Sequence, residues 1–263
     1  MKLTERQLQI LCEIAEAAGR AVMDVYAQDF VAWQKEDASP LTQADLRADA
    51  VIRQGLETAF AGIFILSEES RSADTKNMDT IFLVDPLDGT KEFLKRNDEF
   101  TVNIALVHGG VPVAGVVLAP ALGQLFYAAP GLGAWMHDAQ GTRALRVAAH
   151  DASGPLRVIG SRSHGAEALT AWLANLPRKH ILVASGSSLK FCRVAQGLAD
   201  IYPRFGPTCQ WDTAAAQCVL EVAGGAVMDL AGQRLRYGLG RPILNPDFVA
   251  VADQRFAELA RRA

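Results

Sequence analysis

The stretch Ile81-Phe82-Leu83-Val84-Asp85-Pro86-Leu87-Asp88-Gly89-Thr90-Lys91-Glu92-Phe93 decides how the rest of the chain reads. Four apolar, mostly branched residues predict a short buried strand. It runs into two carboxylates three positions apart, Asp85 and Asp88. Pro86 has no amide donor and a fixed φ, which predicts that the ladder stops there and the chain turns. Gly89 and Thr90 then open a short helix, whose free N–H groups and positive dipole end favour an anion. Two carboxylates would repel a phosphate bound there unless cations lay between them. A pair of hard divalent metals is the economical arrangement. A strand-end turn with Asp88 as a helix cap accounts for the same spacing, since turns are rich in Asp and Gly.

A second acid-tipped strand supports the metal reading. Ile63-Phe64-Ile65-Leu66-Ser67 is an apolar run that ends in Glu68-Glu69, and strand ends are where open α/β sheets present chemistry. A charged solvent loop explains Glu68-Glu69 alone; together with Asp85 and Asp88 the acids favour metal ligation. Upstream, Thr42-Gln43-Ala44-Asp45 begins a helix carried by Leu46, Val51, Ile52, Leu56 and Phe60. T-x-x-D is itself a capping pattern, and a carboxylate held at a helix start is a rigid one.

The chain has 263 residues, half of them hydrophobic and 21% charged, with a formal net charge of -3. That balance fits an ordinary enzyme with a real core, in one large domain or two packed subdomains. No Lys/Arg run points to a nucleic-acid polymer or an anionic membrane. Cys12, Cys192, Cys209 and Cys218 have no C-x-x-C spacing and are expected to be reduced thiols. The N-terminus is polar and no stretch approaches a membrane span, so a cytoplasmic protein is expected.

Thr4-Glu5-Arg6-Gln7 has the form of a capping box before a long amphipathic helix through Tyr26. A strand is expected over 31–35 and a polar loop over 36–40. From Phe100 the pattern changes to short strands over 100–107, 111–118, 124–128 and 134–136, a meander with turns at Gly109-Gly110 and Gly131 to Gly133. Residues 150–155 read as a linker. Strands over 156–160, 180–183, 200–202 and 226–229 then alternate with helices over 167–176, 189–198, 213–223 and 253–261, as in an α/β unit.

This second half carries anion-binding chemistry. Ser161-Arg162-Ser163-His164 follows an apolar strand. Gly186-Ser187-Ser188-Leu189-Lys190 is a small-residue turn into a helix, with hydroxyls and a lysine able to face an anion. Arg204 lies in Tyr202-Pro203-Arg204-Phe205-Gly206-Pro207, expected to be a rigid loop that holds a guanidinium for bidentate phosphate binding. Asp212 follows Trp211 at the head of an apolar helix. Each of these residues has a bland alternative as a cap or a solvated charge; the contrast of acids in one half and cations in the other is harder to obtain by chance.

Thr42-x-x-Asp45, Ser67-Glu68-Glu69, Asp85-Pro86-Leu87-Asp88-Gly89-Thr90 and Trp211-Asp212 together resemble the lithium-sensitive, metal-dependent phosphomonoesterases of the inositol monophosphatase and fructose-bisphosphatase superfamily. Lys91-Glu92-Phe93, the run from Arg96 to Leu106, Ser161 to His164, Gly186 to Cys192 and Tyr202 to Thr208 look like the bacterial 3′(2′),5′-bisphosphate nucleotidases of the CysQ type. The resemblance implies a layered α/β/α/β/α sandwich in two subdomains: 1–149, α+β and metal-binding, and 150–263, α/β and substrate-binding. It implies two or three Mg²⁺ ions, one held by Glu68, Asp85 and the Leu87 carbonyl, another by Asp85, Asp88 and Asp212. Asp45 and Thr90 would activate the attacking water, with Glu69 in the catalytic group. Gly89, Thr90, Lys91, Ser161, His164, Ser187, Lys190, Arg204 and Asp212 would contact substrate.

The implied activity is hydrolysis of the 3′-phosphate of adenosine 3′,5′-bisphosphate, and of its sulfated form used in sulfate assimilation, by in-line attack of metal-activated water. Li⁺ inhibition is part of the same implication. Phosphate monoesters hydrolyse extremely slowly unaided, and no cysteine or histidine stands in a phosphatase-nucleophile motif, so direct water attack is preferred to a phospho-enzyme. An inositol monophosphatase and a non-catalytic metal or phosphate sensor are the competing readings. Oligomeric state and peripheral association with the inner membrane stay open.

Overall fold

The structure, a computed structural model, describes residues 1–28, 32–34, 40–70, 78–149, 154–161 and 166–262. Helix α1 (Glu5–Tyr26) starts with a capping box of Thr4 and Gln7 and buries Leu8, Leu11, Ala15, Ala18, Val22 and Val25 along one face. A short hairpin of β1 (Ala32–Gln34) and β2 (Pro40–Thr42) leads into α2 (Gln43–Ala59), which Thr42 and Asp45 cap reciprocally. The two helices pack on one face of a seven-stranded sheet. Its order is β3-β4-β5-β6-β7-β8-β9: β3 (Phe64–Ser67), β4 (Thr80–Asp88), β5 (Thr101–His108), β6 (Val111–Ala119), β7 (Gln124–Ala129), β8 (Gly133–Asp138) and β9 (Gly141–Ala144). Only β3 and β4 run parallel; the rest is the expected meander, with one further strand, β9, that its polar Gly-Thr-Arg-Ala sequence does not announce.

The second sheet has the order β11-β10-β12-β14-β13: β10 (Leu156–Ser161), β11 (His180–Ser185), β12 (Ile201–Arg204), β13 (Ala226–Asp229) and β14 (Phe248–Val251). Strands β10, β11 and β12 are parallel, as α/β alternation predicts, whereas β14 enters antiparallel between β12 and β13. Helices α5 (Leu189–Ala195) and α6 (Gln210–Val222) lie between the two sheets, in a core shared by both. Helices α4 (Ala166–Asn175) and α7 (Gln254–Arg262) cover the far face through Leu169, Trp172, Phe256 and Ala257. The expected α/β/α/β/α layering follows. All four cysteines are free. No described helix is long and apolar enough to cross a membrane.

Strand parity aims the acids. On β4, Phe82 and Val84 face α1 and α2, while Ile81 and Leu83 face α5 and α6. Asp85 continues the second set and so points toward the start of α6. The chain does not turn at Pro86 as its sequence suggests. Strand β4 continues to Asp88 through a register shift, with Asp85 opposite Asn103 and Asp88 opposite Thr101. Three steps on β4 meet two on β5, a bulge that re-aims the side chains. Strand β3 pairs β4 only as far as Val84, so the missing amide of Pro86 deprives no neighbour on that side.

Close backbone approach holds α6 against this sheet. A Cβ on Gly115 of β6 would stand 2.2 Å from the Ala215 carbonyl oxygen and 2.8 Å from Cys218 Cβ. Gly115→Ala therefore forces helix and sheet apart and is expected to cost roughly 1–3 kcal/mol. A thermal midpoint several degrees below the parent's, measured by calorimetry, is the expected result, and an unchanged midpoint would contradict this packing.

Candidate active site

One cavity of about 240 Å³ opens between the ends of β4 and β12, the start of α6 and the turn before α5. Glu68, Asp85, Leu87, Asp88, Gly89, Thr90 and Lys91 line it on the side of the larger sheet; Ser161, Ser187, Lys190, Arg204 and Asp212 line it on the other. Residues far apart in sequence thus share one space. Asp45 and Glu69 are not among the lining residues. Asp45 is 1% exposed, and its Oδ2 accepts from Thr42 N at 2.7 Å and Thr42 Oγ1 at 2.6 Å. Glu69 directs its amide to Ser67 Oγ at 3.4 Å. His164 lies outside the described residues.

Carboxylate oxygens of Glu68, Asp85 and Asp212 lie within 4.8 Å of one another. Glu68 follows β3, with its amide on the Val84 carbonyl at 3.1 Å; Asp85 ends the regular part of β4; Asp212 sits in the first turn of α6, where its Oδ2 accepts from Cys209 N at 2.8 Å. Helix α6 starts at Gln210, earlier than the apolar pattern suggests, so Asp212 is its N3 residue. Asp88 lines the cavity outside this trio. It does not cap a helix: the cap of α3 (Thr90–Leu94) is Gly89 at φ 92°, and Asp88 Oδ2 instead accepts from Ser188 N at 2.6 Å.

Crowded acids resist ionisation when no cation compensates them. Burial, then Glu68, Asp88 and Asp212, push the Asp85 carboxyl well above the usual carboxylate range. Burial, then Asp88, do the same to Asp212, with Arg204 and the Cys209 amide opposing. Burial pushes Asp88 up to about 6 against the pull of Lys190 and the Ser188 amide. Asp88 and Asp212 keep some surface open to the cavity, yet lie deep enough that desolvation dominates.

The opposite wall is cationic. Lys190 is 3% exposed, donates to Ser187 O at 2.6 Å and stands 5.3 Å from the centre of the Tyr202 ring. Burial brings its ammonium down to about 8, opposed by Asp88. Arg204 is the last residue of β12 and not part of a loop, because β14 pairs with it through Phe248. Its Nη2 donates to Pro207 O at 2.7 Å, and its Nε is buried with no partner among the described residues. Sequence reading passed over Glu92, Tyr202, Thr208 and Ser188, which also line the cavity; each stands inside a stretch already singled out, so the stretch was legible and the member facing inward was not.

The inositol monophosphatase family profile matches residues 4–263. The 3′(2′),5′-bisphosphate nucleotidase CysQ of Salmonella typhimurium is 47% identical over 245 residues, which cover 92% of this chain and 98% of that one. The crystal structure of CysQ from Bacteroides thetaiotaomicron, a bacterial member of the inositol monophosphatase family, matches with a TM-score of 0.83 at 36% identity, over 94% of this chain and 97% of that one. An inositol monophosphatase from Anabaena matches with a TM-score of 0.80 at 25% identity, over 98% of this chain and 95% of that one.

Proposed function

The chain belongs to the inositol monophosphatase family, and from that premise we propose that it removes the 3′-phosphate of adenosine 3′,5′-bisphosphate, yielding AMP and inorganic phosphate. The sulfated form of that nucleotide is a second substrate, which makes the enzyme a housekeeper of sulfate assimilation. The observation that carries this reading is one cavity in which three carboxylates converge, Glu68 and Asp85 from the larger sheet and Asp212 from the start of α6, with two buried cations, Lys190 and Arg204, on the wall opposite that sheet. A nucleotide with two phosphates needs both walls. The nucleotidase CysQ of Salmonella typhimurium supports the choice of substrate at 47% identity.

The donor set suits Mg²⁺. It consists of carboxylates without imidazole or thiolate, and hard oxygen donors select hard cations. Glu68 and Asp85, with the Leu87 carbonyl, would hold one ion, and Asp85, Asp88 and Asp212 would hold a second. The Leu87 carbonyl accepts from Thr90 Oγ1 at 3.3 Å and keeps a second lone pair for an ion. When bound, the metal offsets charge on the phosphoryl oxygens and lowers the pKa of water. The chain's own groups do the rest. Gly89, Thr90 and Lys91 face the phosphoryl group being transferred. Thr90 Oγ1 orients the attacking water; Asp45 is the proposed proton acceptor, and because it does not line the cavity the proton would have to reach it by relay. Ser161, Ser187, Lys190 and Arg204 hold the retained 5′-phosphate.

The test is phosphate release from a panel of monoesters. Mg²⁺-dependent release from the bisphosphate nucleotide, inhibited by Li⁺ and well above release from inositol 1-phosphate, is the expected outcome. Preference for inositol 1-phosphate, or binding without turnover, would overturn the reading.

Metal removal has a pH signature with a definite sign. Asp88 titrates at about 6 in the fold against 3.8 as a free group, and Asp85 and Asp212 shift the same way. Between those values the folded chain binds more protons than the unfolded one, so stability of the metal-free protein falls as pH rises through that window. Divalent metal removes the penalty and binds better as the acids ionise. The midpoint in Mg²⁺ minus that in chelator should therefore widen from pH 5 to pH 8 by several degrees, read by calorimetry. A constant gap would mean that these acids are not the metal site.

A further inference from the structure

Asp88 is held by the half of the chain that does not contain it, and the device that holds it runs through Ser188. We propose that Ser188, locked by Thr101 and Asn103 across the interface between the two sheets, is a positioning residue that aims Asp88 at its ion. This rests on the metal-dependent reading of the site.

Ser188 N donates to Asp88 Oδ2 at 2.6 Å, which commits that oxygen to the protein. Among the described residues Oδ1 accepts no hydrogen bond and remains for a ligand in the cavity that Asp88 lines. The amide can hold this position only if residue 188 is fixed, and its side chain fixes it. Ser188 Oγ donates to Asn103 Oδ1 at 2.8 Å and stands 2.8 Å from Thr101 Oγ1. Thr101 and Asn103 are fully buried on the face of β5 that looks toward α5, the face set by strand alternation.

Three features mark this as a built arrangement and not a spare contact. Ser188 is the N-cap residue of α5, yet its hydroxyl makes no capping bond; the usual use of a serine there is given up for the contact with β5. Asn103 Nδ2 is buried with no partner among the described residues, an unfavourable state that a residue kept only for packing would not need. Ser187, immediately before, is held at φ 45°, a left-handed conformation unusual for a non-glycine residue, with its carbonyl gripped by Lys190 Nζ at 2.6 Å. The turn is over-determined from both sides, with the Gly186 amide on Glu99 Oε2 at 2.8 Å, and the Ser188 amide supplies its hydrogen bond to Asp88.

Groups that orient a metal ligand typically change metal affinity 10- to 100-fold when removed. The experiment titrates Mn²⁺ alone into the metal-stripped full-length protein by calorimetry, well below the thermal midpoint, and follows activity against Mg²⁺ concentration in parallel. Ser188→Ala keeps the amide and removes the lock. We expect Mn²⁺ to bind about 10- to 100-fold more weakly at its weaker site, half-maximal activity to need correspondingly more Mg²⁺, and KM for the nucleotide at saturating metal to stay within about twofold. Ser188→Thr, which retains a hydroxyl, should restore binding. Thr101→Val removes one partner at constant shape and should show the same defect in smaller degree, and it decides the matter if Ser188→Ala does not fold. Parental Mn²⁺ affinity in folded Ser188→Ala or, failing that, in Thr101→Val overturns the positioning role while leaving the proposed activity standing. A parent protein that binds no Mn²⁺ overturns both.

Discussion

Asp85→Asn should reduce phosphate release from the bisphosphate nucleotide by about a thousandfold or more, the order reached when a group that stabilises transition-state charge is lost. Asp85 is the acid common to both proposed ions, and it is 2% exposed where the regular pairing of β4 ends, just before the bulge. An amide removes the charge at constant shape. Leu87 N now donates to Asp85 Oδ1 at 3.0 Å, a bond that an asparagine oxygen can keep, so the fold should survive. Burial and its acidic neighbours make the native carboxylate costly in the absence of metal. The metal-free variant should accordingly be at least as stable as the metal-free parent at pH 7.5, while gaining little from added Mg²⁺. Stability and activity then move in opposite directions, which loss through misfolding cannot produce. Single-turnover assays at saturating Mg²⁺ measure the first part and calorimetry the second. Activity within tenfold of the parent would remove Asp85 from the site.

Arg204→Ala should separate the two substrates that compete for this reading. The guanidinium is buried and anchored on Pro207 O, and its Nε has no partner among the described residues, so it is pre-aimed and loses little freedom on meeting an anion. A hydrogen bond to a charged group contributes about 1.5–3 kcal/mol, or about 10- to 150-fold in affinity. We expect kcat/KM for adenosine 3′,5′-bisphosphate to fall about 100-fold, and that for inositol 1-phosphate by less than about threefold, since the latter has no second phosphate to lose. The pH profile adds a check. Burial, with Arg204 adding to it against the pull of Asp88, brings the Lys190 ammonium down to about 8. Parental activity on the nucleotide should decline above pH 8, and in Arg204→Ala that decline should move to higher pH. Equal losses on both substrates would place Arg204 at the transferred phosphate instead.

Much of the architecture was legible in the chain. Apolar runs of four or five residues ending in acid marked β3 and β4, and Gly109-Gly110 and Gly131 to Gly133 marked the turns of the meander, because positive φ there requires residues without a Cβ. The departures share a cause. Pro86 reads as a stop only if the strand has neighbours on both sides, and whether it does is settled by how far β3 extends. Tyr202-Pro203-Arg204 reads as part of a loop until β14, which enters from some forty residues downstream, pairs with it. Glycines and prolines carry local signals, and a neighbour distant in sequence can overrule them.

What the sequence determined by itself is the inventory: the acids Glu68, Asp85, Asp88 and Asp212, the cations Lys190 and Arg204, and the strand ends and helix starts that carry them, since these depend on periodicity within a dozen residues. Which of those acids share a space was decided by the tertiary structure alone. Glu68, Asp85 and Asp212 meet within 4.8 Å, while Asp88, three residues from Asp85, is turned to the amide of Ser188. The reason is geometric: a one-residue bulge in β4 and the packing of α6 against Gly115 set side-chain directions, and neither leaves a mark in the local order of residues.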